Sequence, residues 1–429
     1  MSTAKFVTRQ QHETAWNTVW DGYNSELERD PDRGAVAWHW HLTVGDMSKE
    51  QFILALQNSD EYKELHKDDP PVPPDPDPPS SKPITDPITI SNSMFYCRGE
   101  LWRWKGVSAF RLFQQWIQGS RNEVESFLFQ LREVSSEDLV LRVFGMYDNT
   151  TIGKFSPQAY GSYFGELRKF ADYLAAQGFR LEFVIFADRQ KIMPQDVQAT
   201  AHAQSVFTAL EGSINTFVEW INEPPLNGDF FSYVNRKGLP SCRGCTLENV
   251  IATPVLNYIT NHTPRDAEWP RKAKHCYEDT ETAHVPSVAD EPIGIGDPSN
   301  SQHARSNNAS DFSDYFSIAS LLAHGGTVHS DAGIETRPMT VSELEILKAC
   351  FRPMREIPTT PMLWDYTRGG FSSLPIEWSD SWGLRAYGRT NGVEAWINIC
   401  RPTAEFKFQP KAGWVGTEVL PHVYHLTRA

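Results

Sequence analysis

The sequence has no apolar run near the roughly 18 residues that a membrane span requires. Residues 1–10 do not set a basic stretch before an apolar core, so no secretory signal peptide is expected. An extracellular or virion-associated protein that leaves the cell by another route is the first expectation, and a cytoplasmic one the second. Basic residues are the minority, 40 Lys and Arg against 54 Asp and Glu, for a net charge of −14. Phosphate backbones and anionic headgroups repel such a chain, so neither nucleic-acid binding nor membrane insertion is expected. Cysteine is sparse. Of six, only Cys242 and Cys245 are close together. A zinc site would want a second closely spaced pair, and His275 and Cys276 are adjacent rather than suitably spaced. A local disulfide or two plain thiols fits Cys242 and Cys245 better, and no metal or cofactor is expected.

Aromatic residues are abundant: 14 Trp, 14 Tyr and 24 Phe. Most must be core. Some suit a sugar-binding cleft, where the C–H face of a pyranose packs on a ring while its hydroxyls bond polar neighbours.

Proline marks a boundary. Residues 68–79 read DDPPVPPDPDPP, in which seven of twelve residues are proline and most others aspartate. Proline removes backbone donors and favours extended structure, and the aspartates repel one another, so the stretch reads as a stiff solvated spacer. It separates a module at 1–67 from the remainder, with the spacer placed at 68–93. Segments 11–29 and 48–65 carry spaced apolar residues without internal proline and predict helices. Between and after them stand Arg29, Pro31-Asp32, Gly34, Trp38, Trp40 and Ser59-Asp60-Glu61-Tyr62.

From about 94 short apolar runs alternate with amphipathic stretches. Strands are expected around 95–104, at Leu139–Phe144, Phe179–Phe186 and Thr216–Ile221, and at 285–289 and 326–329. Helices are expected at 160–176, where Phe164, Leu167, Ala171 and Leu174 share a face and Gly178 ends the run, and at 196–211, 311–323 and 341–355. Strand–helix alternation argues for a parallel sheet covered by helices. Some 260 residues of it suit one (β/α)8 barrel, placed at 94–357. Beyond, at 358–429, short strands at 383–387, 393–399 and 404–408 predict a small antiparallel β module.

Two glutamates stand in the same setting. Glu223, in Asn222-Glu223-Pro224, follows the TFVEWI strand; Glu291, in Asp290-Glu291-Pro292, follows another. Catalytic groups of a barrel sit at the C-terminal ends of its strands. Glycoside hydrolysis needs two carboxyl groups flanking the scissile bond. An Asn-Glu-Pro after an apolar strand resembles the strand-four acid/base motif of clan A retaining glycosidases, a group with many cellulases, mannanases and β-glucanases. The resemblance spans about 97–355. It implies Glu223 as acid/base and Glu291 as the strand-seven nucleophile. It further implies Arg142 as the strand-two arginine, His275-Cys276-Tyr277 as the strand-six His-x-Tyr, and Asn222 as the ligand of the sugar 2-hydroxyl. His329, at the last strand, is expected to line the substrate, and the region 327–331 lacks the tryptophan platform common in the clan.

That resemblance implies hydrolysis of β-linked oligo- or polysaccharides by double displacement. Glu291 would attack the anomeric carbon, held by Tyr277 and kept ionised by Arg142, while Glu223 gives and then takes a proton. Asp290 and Glu335 are alternatives for the nucleophile, and Trp220 is expected to pack around the barrel. A non-catalytic glycan-binding or virion structural protein on the same scaffold is the second reading. A metal-dependent hydrolase using His324, His329 and Asp331 is the third. About 40 residues of the 1–67 module, carried by the order of Arg29, Pro31-Asp32, Gly34, the tryptophans and Ser59 to Tyr62, resemble a small helical module of bacterial surface and phage proteins, which implies attachment to a larger surface or virion assembly; a plain helical bundle is the competing reading.

Overall fold

The computed structural model describes residues 82–149, 153–222, 234–242, 244–246, 257–262, 284–290, 294–295, 305–330, 333–364, 374–377, 385–400 and 407–429, with scattered residues before 58. The chain divides into two units, Met1–Asp77 and Pro78–Ala429. In the first, helix Lys49–Gln57 buries Phe52 and Leu56 with Val19 and Tyr23, and the Tyr23 and Phe52 rings stack at 6.4 Å. The residues of the surface-module motif (Arg29 to Gly34, Trp38, Trp40 and Ser59 to Tyr62) lie outside the described residues.

The second unit is built on a parallel sheet. Its strands, in the order in which they pair, are Ser241–Cys242, Thr216–Ile221, Phe179–Phe186, Leu139–Phe144, Trp104–Ser108, Gly325–Val328, Ser287–Ala289, Ile259–His262 and Cys245–Thr246. The first and last are consecutive in the chain, so the sheet curls until its two ends occupy one strand position. Eight positions result, which is the (β/α)8 barrel expected from the alternation. In chain order, barrel strands one to four are Trp104–Ser108, Leu139–Phe144, Phe179–Phe186 and Thr216–Ile221. The split fifth is Ser241–Cys242 with Cys245–Thr246; the sixth to eighth are Ile259–His262, Ser287–Ala289 and Gly325–Val328.

Two glycines make the curl feasible. Gly325, at φ +102°, lies where a Cβ would meet the Trp104 carbonyl oxygen at 1.9 Å, so strand eight can pair closely with strand one. Gly244, at φ +77°, lies where a Cβ would meet Ile221 O at 2.1 Å and Glu219 Oε1 at 2.7 Å. Only glycine lets the split fifth strand approach strand four that closely.

Helices cover the outside. Helix Tyr163–Ala176 turns Tyr163, Leu167, Phe170, Ala171 and Leu174 inward, the spacing of one helical face. Trp220 faces outward from strand four and packs on Phe207 of helix Asp196–Ala209, with ring centroids 4.9 Å apart. A three-stranded antiparallel sheet, Ile88–Ser91, Met94–Cys97 and Glu100–Leu101, precedes strand one. Its Phe95 is fully buried among Trp102, Trp104, Phe217, Tyr258 and His324, ring to ring at 5.7–6.2 Å, and plugs the N-terminal end of the barrel.

After the barrel a four-stranded antiparallel sheet forms from Arg385–Thr390, Glu394–Cys400, Trp414–Leu420 and Val423–Arg428. It packs on helix Ala309–Leu322, where Asp314 Oδ1 accepts from Asn398 Nδ2 at 3.2 Å and lies 2.9 Å from His422 Nδ1. Residues 404–406 of the expected strand at 404–408 lie outside the described residues. No helix among the described residues is long and apolar enough to cross a membrane.

Candidate active site at the C-terminal ends of the strands

Strands two, three and four read LVLRVF, FRLEFVIF and TFVEWI, and every residue in them is buried. Each has a charged residue in its middle. Side chains alternate across a strand. Val140 of strand two and Phe217 of strand four join the aromatic layer above the plug, so Arg142 and Glu219, two residues on, face the same interior one layer higher. Glu182 of strand three pairs in register with Arg142. Asp290, directly after strand seven, comes in from the opposite side.

Arg142 is the centre of this layer and has no exposed surface. Its Nε donates to Glu219 Oε2 at 2.9 Å, and its Nη2 donates to Glu219 Oε1 and to Asn222 Oδ1, each at 2.8 Å. The same Nε lies 2.7 Å from Asp290 Oδ2 and 4.0 Å from Glu182 Oε2. Phe144 and Phe110, stacked at 4.2 Å, roof the guanidinium at 5.4 and 5.8 Å from their centroids. His329 packs 5.5 Å from Phe110 and is only 2% exposed.

Glu182, Glu219 and Asp290 offer oxygens within 4.8 Å of one another, a donor set that could hold a metal ion. Here the guanidinium already supplies the positive charge among them. Beside Glu182, the Tyr258 hydroxyl donates to its Oε1 at 2.8 Å. Burial, followed by the charges of Asp290 and Glu219, holds the Glu182 carboxyl well above the usual carboxylate range. Burial likewise raises Tyr258 and Cys242 well above their ordinary values, so both stay neutral.

Several expectations change. Cys242 is a free, buried thiol 3.7 Å from Thr260 Oγ1, which removes the local disulfide; the Cys245 side chain lies outside the described residues. Strand six is Ile259–His262, and His275-Cys276-Tyr277 lies outside the described residues. The metal-hydrolase reading fails on geometry. His324 and His329 stand at opposite ends of strand eight, about 16 Å apart at roughly 3.3 Å per residue. His324 Nδ1 accepts from Ser287 N at 3.1 Å, and burial pushes its pKa down to about 3. Glu335 is buried in the segment after strand eight, where its Oε1 accepts from Arg111 N at 2.9 Å, and it is not one of the carboxylates around Arg142.

Of the residues singled out in the sequence, Arg142, Asn222 and Asp290 meet. Glu223, Glu291 and Asp331 lie outside the described residues. Glu182, Glu219 and Tyr258 were not anticipated, and Cys242 was not expected beside them. For the two glutamates the signal was present: a lone acid inside an apolar strand must find a buried cation or hold a proton.

Comparison of the sequence with family models and with curated proteins gives no match. Solved structures do match. A glycoside hydrolase family 5 from Bacteroides vulgatus ATCC 8482 superposes with a TM-score of 0.51 at 12% identity, over 72% of this chain and 80% of that one. The fold is similar to that of a family 5 glycoside hydrolase. A further glycoside hydrolase gives 0.49 at 11% identity, over 73% and 83% of the two chains. Saccharomyces cerevisiae Gas2p with laminaritriose and laminaritetraose gives 0.40 at 13%, over 62% and 68%. At such identities the likeness is one of fold.

Proposed function

We propose that this chain is a retaining glycoside hydrolase acting on β-linked glycans, with Glu223 as acid/base and Glu291 as nucleophile. One observation carries the reading. A single guanidinium, Arg142, contacts both Asn222 and Asp290, the residues immediately before Glu223 and Glu291. Asn222 and Asp290 are thereby held on one group at the ends of strands four and seven, the ends at which a barrel carries its catalytic residues. The retaining reading comes from the Asn-Glu-Pro motif, and it requires the two carboxyl groups to stand about 5–5.5 Å apart. The family 5 fold adds support.

In this mechanism Glu291 attacks the anomeric carbon and forms a glycosyl ester while Glu223 protonates the leaving sugar. Glu223 then deprotonates the water that cleaves the ester. Asp290 serves as the anchor of Arg142 rather than as nucleophile, because its carboxyl is fully buried against the guanidinium. Arg142, without exposed surface, acts as a scaffold for both strand ends and not as a substrate ligand. The test is proton NMR of the anomer first released from β-1,4-glucan, β-1,3-glucan and β-mannan. Release of the β-anomer supports the reading; release of the α-anomer, or no release from any of the three, overturns it.

A further inference from the structure

Among the described residues, the interior layer under the strand ends holds more acid than Arg142 alone can pair. Arg142 carries a single positive charge, and three carboxyl groups face it. Two are close, at 2.8 Å for Glu219 and 2.7 Å for Asp290. Glu182 stands off at 4.0 Å, and its Oε2 has no hydrogen-bond partner. Its other oxygen is occupied by the Tyr258 hydroxyl, a neutral donor. The whole layer is sealed, below by Trp104, Phe217 and Tyr258, and above by Phe110 and Phe144. A charge there has no water to stabilise it.

We propose that Glu182 is a positioning residue that acts through Arg142. While it brings no charge of its own, the guanidinium is left to Glu219, Asn222 and Asp290 and locks the end of strand four to the end of strand seven. Once ionised, it competes for Arg142 from 4.0 Å away, draws it toward strand three and loosens that lock. The groups facing Glu182 come from the elements around it: Arg142 from strand two, Glu219 from strand four, Cys242 from strand five, Tyr258 at the start of strand six and Asp290 after strand seven. Strands one and eight bring Gly106, Ser108 and Thr327, none of which titrates. Desolvation, and then the charges of Asp290 and Glu219, favour a proton on Glu182. The consequence for the proposed glycosidase is a fall of activity on the alkaline side that neither Glu223 nor Glu291 causes.

The inference rests on the proposed function only for its activity readout. In the full-length chain, Glu182→Gln fixes the neutral state with nearly the same shape. The alkaline fall of kcat on β-1,4-glucan, β-1,3-glucan or β-mannan is expected to move up by at least one pH unit, a rate about fivefold higher or more at one unit above the wild-type midpoint. Tyr258→Phe, which removes a hydrogen bond that favours the charged form, should shift the fall in the same direction. Infrared difference spectra, wild type minus Glu182→Gln at neutral pH, should show the C=O stretch of a protonated carboxyl. Superimposable pH profiles, or absence of that band, overturn the proposal. If Glu223→Gln and Glu291→Gln are inactive while the Glu182→Gln profile is unshifted, the inference fails and the function stands. If the wild type cleaves none of the three glycans, the function fails and the infrared band alone decides the inference.

Discussion

Arg142 Nε lies 2.7 Å from Asp290 Oδ2, an ion pair that crosses the barrel interior from strand two to the end of strand seven. With the bonds from Arg142 to Glu219 and Asn222, it ties together two strand ends that are 68 residues apart in sequence, Asn222 to Asp290. The chemistry proposed for this protein depends on that tie, and the first predictions test it.

Replacing Arg142 by methionine should leave Glu219 and Asp290 buried without a cation. Breaking a buried pair in this way costs about 3–5 kcal/mol. Thermal unfolding followed by circular dichroism should show a large fall in Tm or failure to fold. Arg142→Lys should recover only part of the loss, because a point charge cannot reach Glu219, Asn222 and Asp290 as the planar fork does.

Glu223→Gln and Glu291→Gln should each lower kcat by about 10²–10⁴-fold or more while leaving Tm within a few degrees, since each removes a reacting group. Steady-state kinetics on β-linked glucans and mannan check this. Asp290→Asn should instead lower Tm along with kcat, the signature of a residue that anchors rather than reacts.

The pH dependence of stability carries a sign fixed by Glu182. Its folded pKa is raised, so the folded state keeps a proton that the unfolded chain gives up near the ordinary glutamate value. Its stabilising contribution is complete below about pH 4.3 and is lost as pH rises toward the folded pKa, by up to about 1.4 kcal/mol per unit. The stability of Glu182→Gln relative to wild type should therefore increase with pH, as read by urea unfolding at pH 4, 6 and 8.

His422 works in a different pH window. The hydrogen bond to Asp314 raises its pKa above 6.5, so the contribution is complete below that value and disappears as pH rises through the folded pKa. Hydrogen exchange of strands Glu394–Cys400 and Val423–Arg428 should accelerate as pH rises above 6.5 relative to neighbouring barrel strands, after correction for the intrinsic rate. His422→Ala should abolish that difference.

Gly325→Ala should be among the most damaging single changes. The new Cβ would sit 1.9 Å from the Trp104 carbonyl oxygen at a φ of +102°. Strands eight and one would have to separate, and the soluble yield and Tm should both collapse, whereas Gly165→Ala, with nothing within 4 Å, should be neutral or slightly stabilising.

By itself the sequence determined the strands that are long and apolar. Leu139–Phe144, Phe179–Phe186 and Thr216–Ile221 stand where the pattern puts them, because a parallel strand buried on both faces must be apolar throughout. The covering helices at Tyr163–Ala176 and Val341–Glu356 were legible from their one-sided faces. Strands five and six were not, since Ser241–Cys242 and Ile259–His262 are two and four residues long and partly polar, with too little periodicity to read. The closing hairpin Trp414–Leu420 with Val423–Arg428 was missed for a related reason: one of its strands is largely exposed and alternates weakly. The candidate site shows the same division. Arg142 and Asn222 could be read from motifs and Asp290 from its place beside Glu291, whereas the network that joins them could not. A charged residue in an apolar strand announces that it needs a partner. Which partner it finds depends on strand register and on the curvature that brings strand seven opposite strand two, and those are settled only when the barrel closes.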